Sequence, residues 1–344
     1  MRWTNLYVAG LGAYLPEQEQ TAAEAVAAGL YDAERAEANG IRAVRVAGPD
    51  EPGPVMAAAA GRDAVARSGH GHEEFGLVLH GGMGYQGQDF WTPAHYVQHE
   101  TVGGRGAAIE MSQGSNGGLA GVELAASYVT SRPDVTAALV TTGDTFKLPY
   151  VDRWASDDQT VYGDGAGAIV LSSRAGFARV RSTASLSDAS LEALYRGSAW
   201  TRTPFESGKP VDLNSRKHEW LSRNEDAYDE AMQRIGENFN KTLQEALDDA
   251  DTKLADTQWF IHANVSQMMA EWGFYQPLGL DRANTTYDWG LDYGHMGGGD
   301  HLIGLNRLFE TGKPQAGDLI VAVGVGLGFM WTVMVLEVLE PPKW

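Results

Sequence analysis

The sequence predicts an α/β protein made of two fused, pseudo-repeated α/β halves. Buried apolar strands alternate with amphipathic helices along the chain, as in layered α/β domains. Each half also contains a glycine-rich turn that leads into an apolar strand, with residues 163–167 before IVLS and residues 324–328 before FMWTVMVL. The 344 residues suffice for two such units,. We place them at 1–174 and 175–344, with the active site between them.

In the first half, most secondary-structure elements are predicted from short apolar runs. The segment 54–68, PVMAAAAGRDAVARS, starts with a proline, which is typical of a first helical position. The segment 40–47 alternates in polarity, as expected of an edge strand. The remaining predicted elements are strands at 6–14, 75–80, 136–142 and 162–172 and helices at 21–28 and after Ser115.

The second half is predicted in the same way. Residues 226–249 form a long helix with apolar side chains at helical spacing: Met232, Ile235, Phe239, Leu243 and Leu247,. The polar segment 200–220, with two prolines, is predicted to be a long loop or lid. The other predicted elements are strands at 175–187, 258–264, 318–324 and 329–339 and helices at 266–273 and 301–309.

Composition excludes several classes of function. The net charge of −19 argues against non-specific binding to nucleic acids and anionic membranes,. No apolar run reaches the ~18 residues of a membrane helix, and the N-terminal segment lacks the pattern of a secretion signal, so a cytoplasmic location is expected. The absence of cysteine excludes disulfides, thiolate metal sites and a cysteine nucleophile,. The histidines near His70 lack the spacing of a closed metal site, and no metal is predicted.

Ser115 is the candidate nucleophile. It lies in the turn SQGSNGG, where an apolar segment passes into a helix. The free N–H groups at a helix start favour negative charge on a group attached there. A serine in such a turn is also an ordinary helix cap. This stretch alone therefore leaves a catalytic and a structural role open.

Several segments together resemble the thiolase superfamily, and within it the β-ketoacyl-ACP synthase III group. Residues 108–117 are similar to the nucleophile elbow of that group, and 162–172, YGDGAGAIVLS, is the most specific match. Residues 259–268 correspond to the strand and histidine loop, 294–295 to the Gly-Asn loop, and GVGLGFMWTVMVL to the terminal hairpin. The resemblance implies the five-layered thiolase fold and a homodimer.

The three catalytic positions depart from the pattern of the condensing enzymes. Ser115 stands at the position of the cysteine nucleophile, and His295 stands at the position of the asparagine. In an ungapped register, Asn264 stands at the position of the histidine. A register with one gap would place His262 there instead. We prefer the ungapped register, in which His262 is a structural histidine.

These changes imply different chemistry. A serine hydroxyl requires a base to take its proton, and histidine is the best candidate. We therefore predict that His295 is the base for Ser115. Asn264 is the first choice for the residue that orients His295, and Asp300 is a second choice from its nearness in sequence. By family position, the oxyanion hole consists of the backbone N–H groups of Ser115 and Leu327.

The altered residues resemble a branch of acyltransferases from antibiotic and polyketide pathways. In that branch, an acyl group passes from an acyl carrier protein or coenzyme A to an enzyme residue, and then to a hydroxyl, often of a sugar, or to another carrier protein. We predict the same function here, with the thioester as substrate and no cofactor. Two alternatives stay open: a decarboxylative ketosynthase III that primes a polyketide, and a catalytically silent relative that binds a carrier protein.

Two segments are expected to shape the substrate pockets. Residues 81–96 and 200–220 are rich in aromatic side chains and are predicted to lie near the acyl and acceptor sites. Arg202, Arg216 and Lys217 are candidates for binding the carrier protein or coenzyme A because of their place in the second segment. The acyl group and the acceptor stay open, as does the origin of Ser115 as a natural serine or a replaced cysteine.

Overall fold

The computed structural model describes residues 1–197, 200, 203–222 and 227–344. The strands of this part of the chain are β1 Tyr7–Tyr14, β2 Glu19–Thr21, β3 Ala43–Arg45, β4 Phe75–Gly81, β5 Ala107–Met111, β6 Ala137–Asp144, β7 Gly165–Ser172, β8 Ala178–Ser187, β9 Trp259–Ile261, β10 Leu319–Gly326 and β11 Met330–Val338. Its α-helices are α1 Ala22–Ala27, α2 Ala33–Asn39, α3 Gly53–Ser68, α4 Pro93–Glu100, α5 Gly117–Ser131, α6 Ala193–Arg196, α7 Pro204–Ser207, α8 Leu213–Ser222, α9 Ala227–Asp249, α10 Gln267–Ala270, α11 Gln276–Leu278, α12 Tyr287–Gly290 and α13 Asp300–Glu310.

Nine strands form one continuous sheet in the order β5-β4-β6-β7-β1-β8-β11-β10-β9, and β2 pairs with β3 separately. The five sheet strands that precede residue 175 lie together on one side, and the four that follow it lie on the other. The two groups meet where β1 pairs with β8. The order of strands in the sheet therefore changes from the first half to the second near the predicted boundary. That 1–174 and 175–344 are independent halves stays a prediction.

Helices and strands stack in five layers. The central layer is α5 beside α13, and its apolar side chains share one core with strands from both parts of the sheet. The helix α3 covers the outer face of β1, β6 and β7, where a second core lies. The helix α9 covers β8 and β11 in the same way over a further core. This arrangement confirms the predicted α/β fold class.

The α3 layer lies unusually close to β1. A Cβ atom built on Gly10 or Gly12 would fall far inside van der Waals contact with a backbone carbonyl of α3, that of Ala64 or Ala60. Only glycine has room at these two positions, because the obstructing atoms belong to the backbone and cannot rotate away. The two glycines of the strand sequence LYVAGLGAY thus allow the close packing of α3 against β1.

The prediction of a loop over 200–220 is wrong for the described residues of that segment. They contain α7 and α8, and the backbone N–H of Ser215 donates to Asp212 Oδ1 at 2.9 Å in the manner of a helix cap,. Leu213 is buried beneath the first turn of α8. Arg202 lies outside the described residues.

Two elements of the second half also differ from prediction. The strand expected over 258–264 is limited to the three residues of β9. The helix expected over 266–273 is α10 followed by a π-helical turn, Glu271–Tyr275. Within the described residues, no helix has the length and apolarity needed to cross a bilayer.

Candidate active site

Ser115 lies in a single 3₁₀ turn, Gly114–Asn116, which leads directly into α5. Two close backbone approaches fix the position of this turn. A Cβ on Gly114 would lie 2.9 Å from the backbone nitrogen of Leu327, and a Cβ on Gly118 would lie 2.6 Å from the carbonyl oxygen of Gly298. The glycines of the elbow therefore allow contact with the β10–β11 turn and with the loop before α13.

That loop carries His295. The backbone N–H of His295 donates to Val161 O at 2.8 Å, and the N–H of Gly163 donates to His295 O at 3.0 Å. The YGDGAG segment thus holds the histidine loop like a short parallel strand. Asp164 of the same segment is structural, because its carboxylate accepts from the backbone of Ala47 and from Arg153.

Ser115, His295 and Asp300 form one chain of hydrogen bonds. Ser115 Oγ lies 2.6 Å from His295 Nε2, and His295 Nδ1 lies 2.5 Å from Asp300 Oδ2. The carboxylate also accepts the backbone N–H groups of Asn264 and Met296, each at 2.7 Å. Asp300 is the first residue of α13, where a negative charge is favoured by the helix dipole,.

These contacts define the tautomer of His295. A carboxylate only accepts hydrogen bonds, so Nδ1 carries a proton and Nε2 is free to accept from the serine hydroxyl. Burial lowers the pKa of His295, but the charge and the hydrogen bond of Asp300 outweigh it and leave the pKa above the ordinary value for histidine. This geometry is the one that a serine nucleophile with a histidine base and an orienting carboxylate requires.

The side chain of Asn264 makes no hydrogen bond to the ring of His295, contrary to its first place among the candidates for orienting that ring. Its side-chain amide donates to Gly294 O at 2.9 Å, and both ring nitrogens of His295 have other partners. Asp300, the second choice, occupies the orienting position. Asn264 supports the site indirectly, through its backbone bond to Asp300 and its side-chain bond to the loop.

His262 has the surroundings of a structural histidine. Its Nδ1 donates to Ala263 O at 2.8 Å, its Nε2 lies 3.0 Å from the hydroxyl of Tyr275, and its ring stacks on Phe274. Burial lowers the pKa of His262 to about 4, so the ring is neutral at pH 7. These contacts agree with the ungapped register.

Ser115 and His295 open into a cavity of about 410 Å³. Leu327, predicted to provide an oxyanion N–H, lines the cavity next to Ser115. Met83 also lines it, and its sulfur lies 3.9 Å from Ser115 Oγ. The oxyanion roles of the Ser115 and Leu327 backbone groups stay a prediction.

Comparisons with known proteins bear on the family. A model of the 3-oxoacyl-[acyl-carrier-protein] synthase III family matches residues 109–189, and the C-terminal model of that family matches 247–338. A solved structure named ChlB3, an acyltransferase, is 33% identical, covers 98% of this chain and 99% of its own, and has a TM-score of 0.92. This chain belongs to the 3-oxoacyl-ACP synthase III family of the thiolase superfamily.

Two further comparisons agree with this assignment. The β-ketoacyl-ACP synthase III of Trichormus variabilis is 26% identical over 307 residues, which cover 87% of each chain. The 3-oxoacyl-ACP synthase III structure from Aquifex aeolicus has a TM-score of 0.78 at 20% identity, covers 96% of this chain and 99% of its own, and shares the fold. The family consists of enzymes that transfer acyl groups.

Sequence reasoning missed two residues of this synthase III-like site. Asp157 and Asp158 form an acidic pair that in a sequence is typical of a solvated face, but Asp157 is buried and lines the cavity. His218 lies in no recognisable motif of the sequence, and it also lines the cavity. Nothing in the sequence shows that Lys217 and His218 lie near the segment of Asp157, because only tertiary packing brings the two segments together.

The residues proposed for carrier binding are placed as follows. Lys217 lines the cavity and pairs with Asp157 at 3.1 Å, so its charge is directed into the protein. Arg216 lines a neighbouring cavity of about 260 Å³, and its guanidinium donates to Tyr195 O. A role for either residue in carrier or coenzyme A binding stays a prediction.

The histidine cluster near residue 70 has a structural arrangement. His70 Nε2 lies 2.9 Å from Ser172 Oγ, and its Nδ1 lies 3.2 Å from Glu74. His80 is buried between Thr141 and Gln86. Among the described residues, no group of three or more His, Asp or Glu side chains is placed to hold a metal ion.

Proposed function

We propose that this protein is a serine-dependent acyltransferase. Its acyl donor would be a thioester of an acyl carrier protein or of coenzyme A, and its acyl-enzyme an ester on Ser115. The observation that carries the proposal is the chain of hydrogen bonds Ser115–His295–Asp300 at the wall of the cavity. Membership of an acyl-transferring family and similarity to an acyltransferase structure support it.

The first half-reaction follows from the tautomer of His295. Ser115 Oγ attacks the thioester carbonyl while its proton passes to His295 Nε2. The resulting imidazolium is stabilised by Asp300, which stays ionised. When the tetrahedral intermediate collapses, the C–S bond breaks and the thiolate takes the proton from Nε2. The products are the Ser115 ester and the free thiol.

The second half-reaction uses the same residues in reverse. A hydroxyl of the acceptor loses its proton to His295 Nε2 and attacks the ester carbonyl, and Ser115 leaves with the returned proton. In both steps, the backbone N–H groups of Ser115 and Leu327 are proposed to bind the oxyanion, each worth about 3–4 kcal/mol. Every proton is accounted for by His295, the serine and the two substrates, without a cofactor.

The acceptor class is proposed from the family branch that the catalytic residues resemble. It is a small molecule with a hydroxyl, such as a sugar, or a second carrier protein, in an antibiotic or polyketide pathway. A homodimer is proposed on the same ground. The proposed class of acyl donor has more support than the acceptor, since several relatives are named as acyl-carrier-protein synthases.

Intact-mass analysis after incubation with acyl-coenzyme A and with acyl carrier protein tests the proposal. The wild-type chain should gain the mass of the acyl group, and Ser115→Ala should gain none. Ser112→Ala, in the same turn, is the matched control and should be acylated like the wild type. An adduct that persists in Ser115→Ala, or a wild-type chain that forms no adduct and transfers nothing, would contradict the proposal.

Decarboxylative condensation is the second candidate, favoured by the names of the curated relatives. The resemblance implies that a histidine and an asparagine hold the malonyl thioester in such enzymes. Here the amide of Asn264 is occupied by Gly294 O, and His295 is bonded to Ser115. Release of carbon dioxide from a malonyl donor, together with a lengthened acyl product, would establish condensation and overturn simple acyl transfer.

A further inference from the structure

One ion pair interrupts the mostly apolar lining of the Ser115 cavity. The ammonium of Lys217, on α8, lies 3.1 Å from Oδ1 of Asp157, and the two side chains are only 19% and 6% exposed. Apart from Ser115, His295 and three tyrosines, every polar side chain of the described lining comes from residues 157–160 or 214–218. The polar groups are thus concentrated on two adjoining segments.

Attachment of α8 to the fold does not require this pair. Three uncharged hydrogen bonds already join the helix to the neighbouring loop: Leu213 N–H to Ser156 O at 2.9 Å, Asp158 N–H to Asn214 Oδ1 at 2.8 Å, and Asn214 Nδ2 to Ala155 O at 3.3 Å. A buried ion pair pays for desolvation, and apolar side chains of similar volume often stabilise a fold as well or better. The charges of the pair are therefore not needed to attach the helix to this loop.

The pair is also incompletely satisfied. A lysine ammonium has three N–H donors and no acceptor. Within the described part of the chain, its hydrogen-bond acceptor is Asp157 Oδ1 alone, and the ring of Tyr195 lies 5.7 Å from Nζ. Asp157 is held in place independently, by the backbone N–H of Gln159 on its carboxylate and by Arg35 on its carbonyl.

We propose that Lys217 and Asp157 together select a substrate that carries a neutral hydroxyl group. The pair has no net charge, so it does not favour an anion, whose charge would face the carboxylate of Asp157. It offers an N–H donor beside a carboxylate acceptor, and a hydroxyl is both acceptor and donor. The inference rests on the proposed function, since it takes this cavity as the substrate site.

The hydroxyl can belong to the acyl group or to the acceptor, and binding experiments separate these sources. Calorimetry on Ser115→Ala, which cannot be acylated, measures binding without turnover. One arm compares butyryl-coenzyme A with 2-, 3- and 4-hydroxybutyryl-coenzyme A. The other compares methyl glucoside with its singly deoxygenated analogues. In the arm that contains the true source of the hydroxyl, the compound with the hydroxyl should bind about tenfold more tightly than its analogue without it, as expected for a hydrogen bond to a charged group.

The preference should disappear when Lys217→Met or Asp157→Asn is added, and should persist with Lys241→Met, an exposed lysine of α9. Asp157→Asn keeps the side-chain shape and serves if Lys217→Met does not fold. No hydroxyl preference in either arm, or a preference that survives both substitutions, would overturn the inference. Failure of the proposed function is seen separately, as a wild-type chain that binds these probes but forms no Ser115 ester.

Discussion

The carboxylate of Asp300 accepts three hydrogen bonds, from His295 and from the backbone of Asn264 and Met296. Asp300→Asn leaves one oxygen for these donors and can point its amide N–H at Nδ1, which forces the ring proton onto Nε2. The base then cannot accept the proton of Ser115. Acylation of Ser115 should fall by about a thousandfold or more, measured by quenched-flow intact mass.

Asn264→Ala is the matched comparison for that variant. Among the described residues, its side chain is hydrogen-bonded to the loop carbonyl of Gly294 and not to the ring of His295, so its removal should cost much less than the loss of Asp300. If the two variants lose equal activity, the orienting role of Asp300 is wrong, and the sequence-based expectation that Asn264 orients His295 has to be considered again. Thermal melting of both variants shows whether either loss reflects unfolding.

The pH dependence of acylation reports on the same ring. Burial lowers the pKa of His295, but the charge and hydrogen bond of Asp300 raise it by more, so the net pKa lies above the ordinary value of about 6.5,. Only the neutral ring can accept a proton from Ser115. Acylation should therefore decline as pH falls through a value above about 6.5, and this acid limb should move to lower pH in Asp300→Asn. A limb below 6.5 in the wild type would contradict the role of Asp300.

At the scale of elements, the contact between β1 and α3 depends on glycine. In Gly12→Ala, the new methyl group meets the carbonyl oxygen of Ala60, which cannot rotate away. The two layers must separate, and the free energy of unfolding should fall by about 2–4 kcal/mol. Gly236→Ala is the control, because its Cβ meets no atom within 4 Å in α9. That change should be neutral or stabilise by up to about 1 kcal/mol in urea denaturation.

The elements best predicted from the sequence are those whose signal is local. The helix α3 and the strand β6 were predicted within two residues at each end, because their apolar patterns match their burial. The helix α8 was predicted as a loop, since its residues are polar and two prolines lie just before it. It is a helix because Asp212 caps it and Leu213 is buried, and the burial depends on distant parts of the chain.

The site residues likewise differ in whether a local sequence signal or tertiary packing places them. Ser115 and His295 can be singled out from the sequence because each lies in a glycine-rich turn with a readable motif, and the structure places the two side chains in contact. The partner of His295 was ranked wrongly, because Asn264 and Asp300 both lie beside the loop and only packing decides which side chain reaches Nδ1. Asp157 was missed since an acidic pair resembles a solvated face in sequence, and its burial comes from contact with α8.

At the scale of the whole molecule, three buried histidines make stability depend on pH. Burial lowers the pKa values of His80, His262 and His301 to about 4 in each case. In the unfolded chain, these rings titrate near 6.5, so between about pH 6.5 and 4 the unfolded state binds more protons than the folded state. The stability that the neutral rings contribute is fully present above about 6.5 and is lost as pH falls toward 4.

His295 acts in the opposite direction, since its raised pKa stabilises the folded state at low pH, but it is one ring against four, because burial also lowers the pKa of His70. Urea denaturation at pH 7, 6 and 5 should therefore show a falling free energy of unfolding. His80→Gln should be less stable at pH 7 and show a shallower fall, because one buried ring no longer titrates on unfolding. His99→Gln, at an 84% exposed side chain, should keep the wild-type slope. A free energy that is constant over this range would show that the three rings are not buried neutral in solution.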